Sequence, residues 1–388
     1  MRFLHTADWH LGRTLRGRSR AEEMHEVLVE MIDVARQERV DVVIVAGDVF
    51  DSASPGPGSE RLLFEALREF VGAGIEVLLL AGNHDSARRL EAMGRLSELV
   101  GVRVQSEVIL PPREGGIVTF ARGDEVAEVA AIPWVPDGRV LDALEVGLDE
   151  AESRKAYHDR VTAVYARMVA GFTVRRIHLL AGHVLVDGAV VAAVDGSERR
   201  LHIEQAYAVS PQSLPSTPQY LALGHVHQPQ VIADAPAPTA YAGSLLQLDF
   251  GERDQQKIVR IVDARPGRPA ELRAVPLTKG RPLVEWRGSA EAVLAAAAEA
   301  PHAYARAVLE VTAPEPGLAQ RLREAAPQIV DVRLEYDRAV GEAVESEFAT
   351  LSPEELFVRY YRGEHGAAPA AELLSLLREL MEEAVALA

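Results

Sequence analysis

At 388 residues, with 48% hydrophobic and 26% charged residues and a formal net charge of -17, the chain has the composition of an ordinary globular protein, long enough for one large α/β domain and smaller units. It contains no cysteine, which excludes disulfides, thiolate zinc sites and thiol nucleophiles and leaves imidazole, carboxylate and amide groups as metal ligands. The acidity argues against holding nucleic acid on a basic surface of its own, the start meets Asp8 too early for a signal-peptide core, and no run is apolar enough to span a bilayer. A cytoplasmic protein without a membrane partner is expected.

Along the chain, short apolar runs alternate with segments of helical period, the pattern of βαβ units around a largely parallel sheet. Residues 2–7 read as a first strand. Met24, Val27, Leu28, Met31, Ile32 and Ala35 recur at helical spacing, and residues 42–46 follow as an apolar second strand. Leu62, Leu63, Ala66, Leu67 and Phe70 mark a second helix, followed by a strand at 75–81. Tyr157, Val161, Val164 and Met168 mark another helix, with strands at 177–181 and 220–223 after it.

Past about residue 280 the texture changes. Strand-like 282–286, 306–311 and 329–336 alternate with helices at 289–300 and 318–325, a small α/β unit. An acidic linker at 341–347 leads to two helical segments, one after Ser352-Pro353-Glu354-Glu355 and one from Ala370 to the end. The last carries Leu373, Leu376, Leu377, Leu380 and Met381 on one face, which fits either its own core or a partner. The boundaries expected are 1–279, 280–340 and 341–388.

The chemistry sits in five short motifs: Asp8-Trp9-His10, Gly47-Asp48-Val49-Phe50-Asp51, Gly82-Asn83-His84-Asp85, Gly182-His183 and Gly224-His225-Val226-His227. Each follows an apolar strand, and α/β sheets gather ligands at the carboxyl ends of their strands, so these residues can converge on one rim. A single Gly-Asp or strand-end histidine is an ordinary turn residue. Here five of the chain's 12 histidines fall in the motifs, in order. The mixed oxygen and nitrogen donors suit manganese, iron or zinc better than calcium. A two-metal centre with ions about 3.5–4 Å apart needs a shared carboxylate, and Asp48, between the other donors, is the candidate bridge.

These motifs resemble the signature of the calcineurin-like metallophosphoesterase superfamily: D-x-H, G-D-x-x-D, G-N-H-D/E, G-H and G-H-x-H. The likeness spans Asp8 to His227. Residues 5–12, 47–51 and 82–86 are similar to the SbcD family, bacterial counterparts of the nuclease in double-strand-break repair complexes. The fold the resemblance implies is a calcineurin-like core of two sheets flanked by helices, with a small α/β cap and C-terminal helices. It implies that Asp8, His10, Asp48 and His227 hold one ion and Asp48, Asn83, His183 and His225 another. Two Mn2+ per chain are the implied cofactors, with Mg2+ or another divalent ion as the alternative. His84 would face the scissile phosphate, oriented by Asp85. Asp51 fits the pattern but is left outside the metal set, and Gly243-Ser244 resembles a turn that lines such sites.

The implied substrate is DNA, cut at ends and hairpins in repair, recombination and replication. The implied partners are an SbcC-type ABC ATPase on the C-terminal helices and a second nuclease subunit, forming a homodimer within a heterotetramer. Arg13, Arg16, Arg18 and Arg20 crowd the loop after the first motif, where DNA would enter, and are the expected phosphate contacts; a solvated loop is the alternative. A phosphoesterase for small molecules or phosphoproteins would share every ligand and suit the acidic charge better. A non-catalytic scaffold would have no need of His84.

Overall fold

A computed structural model of the chain describes residues 1–97, 101–136, 150–192, 208–313, 315–336, 353–365, 368–370 and 373–377. The expected linker at 341–347 and the positions of Leu380 and Met381 lie outside the described residues. The chain divides into one compact unit of residues 1–284 with 302–304 and another of 285–301 with 305–388.

In chain order the elements of the first unit are β1 (Arg2–Thr6), β2 (Thr14–Leu15), β3 (Arg18–Ser19), α1 (Ala21–Gln37), β4 (Val42–Val45), α2 (Pro57–Gly72), β5 (Glu76–Leu80), α3 (Ala87–Ser97) and β6 (Val102–Gln105). Then come β7 (Ile117–Arg122), β8 (Glu125–Ile132), α4 (Glu150–Val169), β9 (Ile177–His183), β10 (Tyr220–Gly224), β11 (Gln230–Val231), β12 (Thr239–Tyr241), β13 (Ile258–Arg265) and β14 (Arg268–Pro276). One sheet has the order β14-β13-β1-β4-β5-β6 and a second the order β11-β12-β10-β9-β8-β7. The strands that carry motifs run parallel, with Leu4 beside Val43, Val43 beside Val77, and Leu221 beside Leu180.

Strand periodicity builds the layers. Phe3, Val42, Ile44, Leu78 and Leu80 share one core with Val129, Ala131, Leu179, Ala181 and Ala222, so the two sheets stack face to face. The alternate residues, Leu4, Val43, Val45, Val77 and Leu79, pack on Met24, Val27 and Met31 of α1 and Leu63, Ala66 and Phe70 of α2. On the other side Ala130, Leu180, Leu221 and Leu223 pack on Tyr157, Val161, Tyr165 and Met168 of α4. Helices therefore cover both outer faces. This is why β4 is apolar at every position: both of its faces are buried. Truncating one of these fully buried aromatics, Phe70 for example, costs about 3–5 kcal/mol.

The second unit holds a three-stranded sheet, β15 (Leu283–Gly288), β16 (Tyr304–Glu310) and β17 (Ile329–Glu335), in that spatial order, with α5 (Ala290–Glu299) and α6 (Leu318–Ala325). The β16 and β17 strands are parallel, as a crossover through α6 requires. Ser289 caps α5 by accepting from the Ala292 N–H at 3.2 Å. Of the two expected C-terminal helices, α7 spans Pro353–His365, and residues 373–377 of the other are helical.

Candidate metal centre

Strand β1 ends just before Asp8, β4 before Asp48 and β5 before Asn83, while His183 closes β9 and His225 follows β10. The two stacked sheets thus share one rim, and the five motifs meet there. Pairing of β1 with β4 continues past both strands: the N–H groups of Asp8, His10 and Leu11 donate to the carbonyls of Gly47, Asp48 and Val49, each at 3.0 Å. Across the sheets, the Trp134 N–H donates to the Ala81 carbonyl at 2.9 Å. The turns are tight enough to force left-handed backbone on Asp8 (φ 52°), His10 (46°), Asp48 (50°) and His225 (98°), a cost the surrounding structure must override. At Gly82 a Cβ would collide with the Asp48 carboxylate, so only glycine lets the β5 loop approach it.

The side chains face one another at ligand distances. Asp48 Oδ2 lies 3.6 Å from His10 Nε2 and 3.4 Å from His183 Nε2, while its Oδ1 accepts the His84 N–H at 2.9 Å. His10 Nε2 and His227 Nε2 are 3.1 Å apart. Asn83 Oδ1 sits 2.9 Å from His183 Nε2 and 3.0 Å from His225 Nδ1. Asp8 Oδ1 accepts the His225 N–H at 2.9 Å, and its Oδ2 is buried with no hydrogen-bond partner.

Groups behind the histidines select their tautomers. His183 Nδ1 donates to the Ala46 carbonyl at 2.8 Å, and His227 Nδ1 donates to Glu252 Oε1 at 2.9 Å. In each case Nε2 is the nitrogen turned into the cluster, the usual arrangement of a metal-bound imidazole once its proton is displaced. His10 Nε2 and His227 Nε2 in contact, with a buried orphan carboxylate oxygen beside them, form a polar cluster that a divalent cation would satisfy. Asp8, His10 and His227 offer atoms within 4.8 Å of one another, as do Asp8, Asp48 and His183. The residues present fit divalent cations.

Charge balance follows the same geometry. Burial opposes ionisation of Asp48, but His183 and His10 outweigh it and hold the carboxyl well below the usual range. Burial likewise opposes charge on His183, yet the Asp48 carboxylate raises it to about 9. Asp8 is pushed up by burial.

Some expected roles change. Asp85 does not meet His84: its carboxylate accepts the N–H groups of Val49 (3.0 Å), Phe50 (2.9 Å) and Gly82 (2.9 Å), clamping the β4 and β5 loops together. His84 is oriented instead by the Asp51 carbonyl, 3.0 Å from its Nδ1. The Asp51 carboxylate lies 3.3 Å from both His10 Nδ1 and the Arg13 guanidinium. Arg16 and Arg18 are exposed around the β2–β3 hairpin, but Arg20 is not available to DNA: it is buried, pairs with Glu23 at 2.7 Å and donates to the Gln247 carbonyl. An arginine this enclosed is a structural strut.

Three contributors carry no sequence motif. Glu252, which backs His227, is itself paired with buried Lys257 at 2.7 Å. Lys257 also donates to the His227 carbonyl and to Ser244 Oγ, both at 2.9 Å, so Ser244 packs behind His227 rather than lining the centre. Trp134 stacks on His225, with ring centroids 5.2 Å apart and planes 28° from parallel. Gly243-Ser244 was expected to line the site, and nothing local pointed to Glu252, Lys257 or Trp134.

Stacked sheets with carboxylate, imidazole and amide donors on a common rim define a metallophosphoesterase. The calcineurin-like phosphoesterase family profile matches residues 1–229, and the type 5 capsule protein repressor C-terminal domain profile matches residues 279–365. Among curated proteins the chain is similar to SbcD of the Bacillus subtilis nuclease SbcCD, 33% identical and covering 98% of this chain and 97% of that one. The SbcD proteins of Rhodobacter capsulatus (33%, covering 73% and 71%) and Escherichia coli K12 (28%, covering 76% and 73%) are also similar. The chain belongs to the calcineurin-like phosphoesterase family and, within it, to the SbcD group of SbcCD nucleases.

Proposed function

We propose that the chain is a two-metal DNA nuclease, the SbcD component of an SbcCD-type complex, hydrolysing phosphodiesters at DNA ends and hairpins in the cytoplasm. The observation that carries this is the position of Asp48 Oδ2, 3.6 Å from a histidine of one donor set and 3.4 Å from a histidine of the other. Asp8, His10, Asp48 and His227 hold one Mn2+, and Asp48, Asn83, His183 and His225 hold the other. Bound there, divalent cations neutralise phosphate charge and make water more acidic. His84, half-buried with its Nδ1–H donated to the Asp51 carbonyl, turns Nε2 to the substrate and, as the imidazolium, gives the Nε2 proton to the leaving oxygen, returning to neutral imidazole. Asp85 serves this step indirectly, by fixing the loop that carries His84.

The partner is an SbcC-type ABC ATPase, engaged through residues 341–388, in a heterotetramer with two nuclease chains. The net charge of -17 favours a second reading, a phosphoesterase for small molecules or phosphoproteins. The length over which the B. subtilis relative aligns, 98% of this chain, favours the nuclease. The deciding experiment is Mn2+-dependent degradation of end-labelled duplex DNA by the purified chain, with His84→Ala and a chromogenic diester beside it. The nuclease reading expects degradation by the parent and a loss of about 10²–10⁴-fold in His84→Ala at unchanged metal content. Hydrolysis of the small diester alone, persisting after the ATPase is added, would favour the second reading.

A further inference from the structure

Beside the metal centre lies a cavity of about 900 Å³ that the proposed chemistry does not use. It begins at Asn83 and Trp134 and runs along α4, where Arg160, Ala163, Val164 and Arg167 line it. Their spacing, i, i+3, i+4 and i+7, puts them on one helix face, adjacent to the Tyr157, Val161, Tyr165 and Met168 stripe that packs into the core, with Val164 at the border between the two. This face has two exposed guanidinium groups. Arg167 donates to the Pro111 carbonyl at 3.3 Å, and Arg160 has no hydrogen-bond or ion-pair partner among the described residues. The carboxylates along the cavity are Asp85 and Glu107, and Asp85 is committed to three backbone N–H groups.

An aromatic platform next to the reacting centre, followed by cations about two helical turns long, is the layout of a single-stranded nucleic-acid path. Trp134 is half-buried, stacked on His225 and also part of the cavity wall. The volume falls within the range of small-ligand sites, enough for a nucleotide. We propose that this cavity is a strand-binding subsite: Trp134 stacks on the base next to the scissile phosphate, and Arg160 and Arg167 hold the phosphates that follow. It rests on the nuclease reading, and it deepens that reading by giving an acidic protein a local cationic track that Arg20 cannot supply.

The test uses the full chain with Mn2+, a short labelled single strand and a chromogenic diester too small to reach α4. For Arg160→Ala/Arg167→Ala, KM for the strand should rise at least about tenfold. The slope of log binding against log salt should become shallower by about 1.4, as two lost phosphate contacts require. The small-diester kcat should change less than about twofold. Trp134→Ala should raise strand KM about tenfold and Trp134→Phe restore it, since a smaller ring still stacks. Unchanged strand KM and salt slope in the double variant, with the parent still cutting DNA, would overturn the subsite and leave the nuclease reading standing. A parent that cuts only the small diester, with or without the ATPase, would overturn both.

Discussion

The two sheets build their halves of the metal centre differently. On the β1-β4-β5 side, Asp8, His10, Asp48 and Asn83 sit on adjacent loops stitched by backbone hydrogen bonds and by the Asp85 carboxylate, so donors are fixed by the chain that carries them. On the β9-β10 side, the histidines are held by groups remote in sequence: Ala46 behind His183, Glu252 and Lys257 behind His227, Trp134 against His225. The first half is rigid because its backbone is cross-linked. The second depends on side chains that can be removed one at a time.

That contrast can be broken experimentally. The largest effect is expected from Asp48→Asn, which removes the shared charge while keeping the shape and an acceptor for the His84 N–H. Both donor sets lose their common ligand, so phosphodiester hydrolysis should be abolished and Mn2+ content, read by elemental analysis, should fall at both positions. A smaller, selective loss is expected from Glu252→Gln. It leaves Lys257, 5% exposed, without its charge partner, a change that costs about 3–5 kcal/mol in a buried pair. It also releases the His227 ring, and metal affinity should weaken about 10–100-fold at that position, the other ion staying bound. Thermal unfolding and metal titration of the same variant separate the two effects. If Glu252→Gln removed both ions equally, His227 would not serve one metal position alone.

The same contrast explains what could be read from the sequence. The motif strands were legible because each is a short run largely buried on both faces, and all but β1 have a glycine at or just past their end, as in Val42–Val45 before Gly47. The donors of the cross-linked half were legible for the same reason: ligand and turn lie in one stretch. The β7–β8 and β13–β14 hairpins were not, since neither carries a motif. β13 takes its place only by pairing with β1, Leu4 beside Ile261, a contact across most of the unit that no local pattern encodes. Glu252 and Lys257 escaped similarly, because a buried pair looks in sequence like two surface charges. Arg20 failed in the opposite direction. Three neighbouring loop arginines suggested a fourth exposed one, and burial against Glu23 decided otherwise.

The central claim is that one carboxylate joins two metal positions. Anomalous diffraction from crystals of the intact chain grown with Mn2+ tests it directly. Two peaks about 3.5–4 Å apart are expected, both within ligand distance of the Asp48 carboxylate, one shared with His10 and His227 and the other with His183 and Asn83. A single peak, or two peaks of which only one touches Asp48, would contradict it.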